Sequence, residues 1–160
     1  MEYLILGGYG YLGSRFVDHF KNFGNVTIGS ASLYDSSNSN EHPLITNYRS
    51  FNKTQLDNLT SEYNYIIDCS GISGSKIQSE KVSSILDINS LWPAKLAASC
   101  VNTKCKLIWF SSSHCEYLNI SDAISLKGNV YALSKIISEE LIKEIDMWDA
   151  FITIIRLGNI

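Results

Sequence analysis

The stretch YLILGGYGYLGSRF, from Tyr3 to Phe16, constrains this chain more than any other. A short apolar run breaks at Gly7, and Gly10 and Gly13 follow at G-x-x-G-x-x-G spacing. A helical pattern then begins, with Leu12, Phe16, Val17 and Phe20 recurring on one face. Three positions without a Cβ at one strand-to-helix junction say that backbone there must turn sharply and come close to something. The chain must therefore place a strand, a tight turn and a helix in its first two dozen residues.

The rest of the chain repeats that alternation. Leu4 to Leu6 is expected to be a buried strand, and the helix from Tyr11 to Phe23 to end at Gly24. VTIGS (Val26 to Ser30) reads as a second strand, ASLYDSSNSNEHP as a polar loop and LITNY as a short third strand. NKTQLDNL carries Leu56 and Leu59 on a helical face, and YNYIIDCSG gives a fourth strand ending near Ser70. Lys76 to Val101 reads as one long helix with Pro93 inside it, where a kink or an interruption is expected. CKLIWFSSS is a fifth strand, Leu118 to Asn129 a loop, Tyr131 to Asp146 a helix and AFITIIRLG a sixth strand. Strands alternating with helices make βαβ units. The strands are near-continuous apolar runs, as a sheet covered on both faces requires. The expected fold is α/β, a doubly wound parallel sheet of about six strands in a single domain.

On such a sheet the first strand-to-helix turn is a phosphate site. One glycine permits the turn, the next admits a pyrophosphate against the backbone, and the third lets the helix pack close to the sheet. Free N–H groups and the dipole at the helix start favour the phosphate charge. The triplet thus predicts a dinucleotide loop. Ser30 ends the second strand, where an acid that holds a ribose diol is often found. It neither favours NAD as a carboxylate would nor binds the extra phosphate of NADP, and no Arg follows closely, so NAD and NADP both stand.

YALSK places Tyr131 and Lys135 one turn apart on a helix face. An ammonium near a phenol stabilises phenolate, and such a tyrosine can exchange a proton with a substrate hydroxyl. The spacing alone fits a solvated helix face equally well. It gains meaning from WFSSSHCEY at the carboxyl end of the fifth strand, the edge where ligands bind in open α/β sheets. There Ser113 can donate a hydrogen bond to a reacting oxygen, although a serine run also suits a turn or a helix cap.

GGYGYLG, IIDCSG, DINSLWPAKLA, IWFSSSHCEY, YALSK and IIRLGNI together resemble the extended short-chain dehydrogenase/reductases of the nucleotide-sugar epimerase/dehydratase family, along the whole chain. The serine run and the interval from NYRS to IIDCSG fit the UDP-galactose 4-epimerase pattern. The resemblance implies a Rossmann domain over residues 1–160, with Tyr131 as acid/base, Lys135 on the nicotinamide ribose and Ser113 on the substrate oxygen. It implies that Gly7, Gly10 and Gly13, with the N–H groups of Tyr11 and Leu12, cradle the pyrophosphate. It places Asn47, where the family usually has Asp, and Tyr48 along the adenine. Cys69, Ser70 and Gly71 would line the adenosine ribose, and Asn89 would lie near the cofactor. A nucleotide-sugar substrate and a homodimer built from paired long helices are implied as well.

Three departures bear on the substrate. His114 and Cys115 stand where 4,6-dehydratases carry an acidic pair, which argues against dehydration. Leu118 replaces a glycine that commonly follows the tyrosine at Tyr117, and the interval from Ser113 to Tyr131 is shorter than in the sugar epimerases. The family's second, smaller domain, which holds the nucleotide of the substrate, is expected to be absent from this chain. That leaves two expectations, an epimerase or reductase, as part of a longer enzyme or a truncated relative, and a dinucleotide-binding module or fragment without turnover. A flavodoxin-like domain without dinucleotide is argued against by the glycine triplet and the Tyr–Lys pair.

Composition excludes other classes. The net charge of -3, without a basic block, argues against nucleic acid. MEYLILGG lacks the features of a signal peptide, and no window approaches the ~20 apolar residues of a membrane span. Cys69, Cys100, Cys105 and Cys115 form no CxxC pair and fit no zinc spacing, so no metal is expected. They read as small apolar filler in a reducing compartment, which predicts a cytoplasmic protein.

Overall fold

Strand β1, Glu2–Leu6, runs through the centre of a six-stranded sheet. The computed structural model describes residues 1–31, 42–73, 76–115, 129–147 and 150–158. Within it lie β2 (Asn25–Ser30), β3 (Leu44–Thr46), β4 (Tyr65–Asp68), β5 (Lys106–Ser112) and β6 (Ile152–Leu157). Their order is β3-β2-β1-β4-β5-β6, and every pairing is parallel. The helices are α1 (Tyr11–Phe20), α2 (Lys53–Ser61), α3 (Lys76–Ser79), α4 (Val82–Leu86), α5 (Trp92–Thr103) and α6 (Val130–Ile145).

Successive side chains of a strand point to opposite faces, and β1 shows how this sheet becomes buried twice. Leu4 and Leu6 join a core with Leu56, Trp92, Leu96, Trp109 and Ile142, under α2, α5 and α6. Tyr3 and Ile5 join another with Val17, Ile28, Ile67 and Phe110, under α1. The architecture is the doubly wound parallel α/β sheet that the alternating pattern predicts. Chain direction across the sheet reverses at β1, between β2 and β4, and the cleft at the carboxyl ends of these strands is where such folds bind ligands.

Local chemistry moves several boundaries. Helix α1 ends at Phe20, and Gly24 lies in the turn beyond it, where a Cβ would overlap the Met1 carbonyl. Strand β3 stops at Thr46 because Asn47 adopts a left-handed conformation (φ 56°), and Tyr48–Ser50 forms a 3-10 turn. Helix α2 opens with a capping box, Gln55 N–H donating to Asn52 Oδ1 (3.0 Å) and Asn52 N–H to Gln55 Oε1 (2.9 Å).

The expected long helix is divided into α3, α4, a π-turn over Asp87–Leu91 and α5. Pro93 stands in the first turn of α5, directly after the π-turn, so the stretch is interrupted at the proline, one of the two outcomes expected of it. The wider π-turn accommodates the proline ring against the preceding turn. Strand β5 ends at Ser112, and Ser113–Cys115 is a 3-10 turn. The four cysteines are free thiols. Among the described residues, no helix is long and apolar enough to cross a membrane. Most of the two expected loops, together with Tyr117 and Leu118, lies outside the described residues.

Candidate functional site

The glycine loop joins β1 to α1 by backbone contacts. Gly7 has φ 73°, a conformation that L side chains rarely adopt, and its N–H donates to Gly29 O at 2.8 Å. A Cβ on Gly7 would stand 3.1 Å from the backbone of Cys69 and Ser70, so the loop after β1 lies against the loop after β4. A Cβ on Gly13 would overlap the Gly7 carbonyl, which is why the start of α1 can rest on the loop. Gly10 is exposed, and its N–H donates back to Gly7 O at 2.8 Å. The first intrahelical bond, Ser14 N–H to Gly10 O (2.9 Å), leaves the N–H groups of Tyr11 and Leu12 at the helix start without intrahelical partners.

Beside this loop a cavity of about 570 Å³ is lined by Gly7, Gly10, Ser30, Tyr48, Cys69, Ser70 and Gly71, with Arg49, Ile72 and Lys76 on its wall. The structure thus brings together seven of the residues expected at a dinucleotide. Asn47 is exposed at the head of the 3-10 turn and does not line the cavity. Asn89 sits behind the wall: its Oδ1 accepts from Ile72 N–H (2.8 Å), and its Nδ2 donates to Ile72 O (2.9 Å). A Cβ on Gly71 would meet Asn89 Oδ1 at 3.2 Å and Lys135 Nζ at 4.0 Å. The ledge from Cys69 to Ile72 is therefore pinned from behind and ends beside the lysine.

Asp68 holds the other end of that ledge. It is 1% exposed at the carboxyl end of β4, and Oδ1 accepts from both the N–H (2.9 Å) and the hydroxyl of Ser70. Oδ2 accepts from Trp92 Nε1–H at 3.1 Å. Burial pushes this carboxyl above the ordinary range, while Ser70, Arg49 and Lys135 pull it down. Burial and the Asp68 charge likewise push the Tyr48 hydroxyl up to about 12.

Lys135 is almost fully buried. Its Nζ donates to Phe110 O (2.8 Å) and lies 4.6 Å from the centre of the Trp109 ring. Burial lowers it to about 8, against the opposing charges of Asp68, Cys115 and Glu139. Tyr131 is half-buried; burial raises its hydroxyl above the usual range, and a hydrogen bond from Ser112 counteracts part of that rise. The ammonium is turned to Phe110 O and Trp109, so burial, more than the lysine charge, governs the phenol here.

The serine run divides its tasks. Ser111 Oγ lies 3.6 Å from Cys115 Sγ, Ser112 Oγ lies 3.0 Å from His114 Nδ1, and Ser113 has no side-chain hydrogen bond among the described residues. Cys115 is buried against α6, near the Ala132 carbonyl, and so cannot take the place of an acid facing substrate. Sequence reasoning missed Asp68, Ser112 and His114. For Asp68 the signal was a single acid closing the apolar run YIID.

A donor-rich loop, a polar ledge and a phenol beside a buried lysine can bind a pyrophosphate-bearing ligand and move a proton at its far end. Three solved structures of similar fold are a mutated uronate dehydrogenase (TM-score 0.76, 18% identity, 99% of this chain and 58% of that one), UDP-glucose 4-epimerase from Thermus thermophilus in complex with NAD (0.73, 17%, 98% and 54%) and UDP-N-acetylglucosamine 4-epimerase from Bacillus cereus (0.68, 19%, 98% and 59%). At these identities the likeness shows the fold, and the chain spans a little over half the length of the structures it matches. No curated protein sequence matches it. The model of the NAD dependent epimerase/dehydratase family matches residues 3–160, nearly the whole chain, and the protein belongs to that family.

Proposed function

We propose that this chain binds NAD or NADP in the cleft above β1 and carries the proton-transfer residues for hydride transfer at a sugar carbon of a nucleotide sugar. The observation that carries the reading is the single cavity formed by the glycine loop and the Cys69–Ile72 ledge, whose Gly71 end approaches Lys135 Nζ. Gly7, Gly10 and the N–H groups of Tyr11 and Leu12 hold the pyrophosphate, and Gly13 sets how closely α1 approaches it. Ser30, Cys69, Ser70 and Gly71 meet the adenosine ribose, with Tyr48 along the adenine and Asn89 bracing the ledge. When bound, the nicotinamide supplies the hydride chemistry. Lys135 holds its ribose, Tyr131 exchanges the proton of the sugar hydroxyl, and Ser113 steadies that oxygen.

Membership of the family supports the cofactor, and the epimerases among the similar structures support the substrate class. The exposed side chains of Val82, Leu91 and Leu141, on and between the helices over one face, suit a homodimer. Four free thiols suit the cytoplasm.

Titrating the chain with NADH and NADPH by fluorescence, then assaying a panel of nucleotide sugars, tests the reading. Saturable binding with turnover supports it, and absence of binding by either cofactor overturns it. Binding without turnover would make the chain a dinucleotide-binding module. In an active preparation, Tyr131→Phe is expected to leave cofactor affinity within about twofold and to lower kcat by roughly 10²–10⁴-fold.

A further inference from the structure

Strand β2 ends on a serine, and the fold brings an arginine to it from the next strand. Ser30 pairs with Thr46 of β3, and the chain turns directly after that pair. Asn47 takes the left-handed conformation (φ 56°), and both the Ser50 N–H (3.0 Å) and the Ser50 hydroxyl (2.8 Å) donate to Asn47 O. The turn sends Tyr48 into the core, 0% exposed, and puts Arg49 on the wall of the cavity that Ser30 and Ala31 also line. Strand register and one tight turn thus set a guanidinium in the same cavity as the end of β2.

Arg49 is half-buried. Its guanidinium carbon lies 5.8 Å from the centre of the Tyr48 ring, and its Nε is buried with no hydrogen-bond partner among the described residues. Among those residues no carboxylate comes within ion-pair distance of it. Asp68, which its charge reaches, has its two oxygens taken by Ser70 and Trp92. A guanidinium keeps its charge at any working pH, and burying its polar atoms without a partner is costly. Lys76 and Glu80, the other charged residues on the described wall, carry opposite signs, so Arg49 leaves the cavity with an excess of positive charge.

We infer that Arg49 holds the 2′-phosphate of the adenosine ribose, and that the cleft takes NADP in preference to NAD. The inference rests on the cleft being a dinucleotide site. In doubly wound folds that ribose lies at the end of the second strand, where an acid suits the bare diol and an arginine the phosphate. Here the strand end is Ser30, which brings no negative charge, and the guanidinium shares its cavity. A phosphate monoester carries about −1.5 to −2 charge at pH 7, and the forked N–H groups of arginine match its oxygens.

Equilibrium titrations of the chain test this. NADPH and NADH are followed by their fluorescence. Adenosine 2′,5′-bisphosphate and 5′-AMP, which differ only by the 2′-phosphate, are followed by calorimetry. NADPH is expected to bind at least about tenfold more tightly than NADH, and the bisphosphate to exceed 5′-AMP by a similar factor. Arg49→Gln, its fold checked by circular dichroism, lowers the affinity for NADPH and the bisphosphate about tenfold or more and leaves that for NADH within about twofold. Arg49→Lys, which keeps the charge without the fork, falls between. NADH binding as tightly as NADPH, or Arg49→Gln weakening both cofactors alike, overturns the inference. Either result leaves the dinucleotide reading standing, whereas a chain that binds none of the four ligands overturns both.

Discussion

Two residues of the cleft carry consequences that can be measured singly. A methyl group at position 13 collides with the Gly7 carbonyl, and backbone cannot yield as a flexible side chain does. Gly13→Ala is therefore expected to cost roughly 1–3 kcal/mol in urea unfolding and to lower cofactor affinity at least tenfold by lifting α1 off the loop. At Asp68, Ser70 and Trp92 present only donors to the two oxygens, so an acceptor-only carboxylate fits and an amide does not. Asp68→Asn turns an NH₂ against one of those donors, at an expected cost of about 1–3 kcal/mol, with weaker cofactor binding as the Ser70 ledge relaxes. Unchanged affinity in a calorimetric titration would show that Asp68 does not shape the ledge. The glycines were legible in the sequence because their spacing encodes a local turn. Asp68 was not, because its partners Ser70 and Trp92 meet it through tertiary packing. Ser112 and Ser113 are indistinguishable as letters, and only the point where β5 gives way to a 3-10 turn separates them.

Between elements, the tie of α6 to β6 is sensitive to pH. Arg156 donates through two nitrogens to Glu139, at 2.9 and 2.6 Å. Burial pushes the Glu139 carboxyl up, yet the bonds from Arg156 and Ser111 and the charges of Arg156 and Lys143 outweigh it, so the carboxyl lies below its ordinary value. A depressed carboxyl stabilises the fold above the unfolded value of about 4.3, and that contribution is lost as pH falls through the folded value. Glu139→Gln should therefore cost roughly 1–3 kcal/mol at neutral pH, and the urea midpoints of wild type and variant should converge as pH falls below the ordinary carboxylate range. Midpoints that stay equally far apart at every pH would refute the assignment. Element types were read well from periodicity, and Pro93 marked an interruption of the long helical stretch, but the break between α3 and α4 was not read. Ile77, Ile85, Leu86 and Leu96 keep a helical rhythm across it, whereas the π-turn depends on Pro93 and on Asn89 reaching across to Ile72.

At the scale of the whole molecule, every strand pairs in parallel, and helices carry the chain from β1 to β2, from β3 to β4, from β4 to β5 and from β5 to β6. The sheet class was legible because strands buried on both faces are apolar throughout. The strand order was not, since periodicity carries no record of neighbours. That order has a consequence for assembly in time. The central strand is made first, yet its partners are Asn25–Ser30 and Tyr65–Asp68, so Glu2–Leu6 leaves the ribosome with one edge unmatched until Asp68 follows. No hairpin seeds the sheet, and each added pair closes a long loop before any contact rewards it, which slows folding. Of the six strands of this sheet, Glu2–Leu6 thus waits longest for cover, and during that wait its bare edge is the surface a chaperone would recognise.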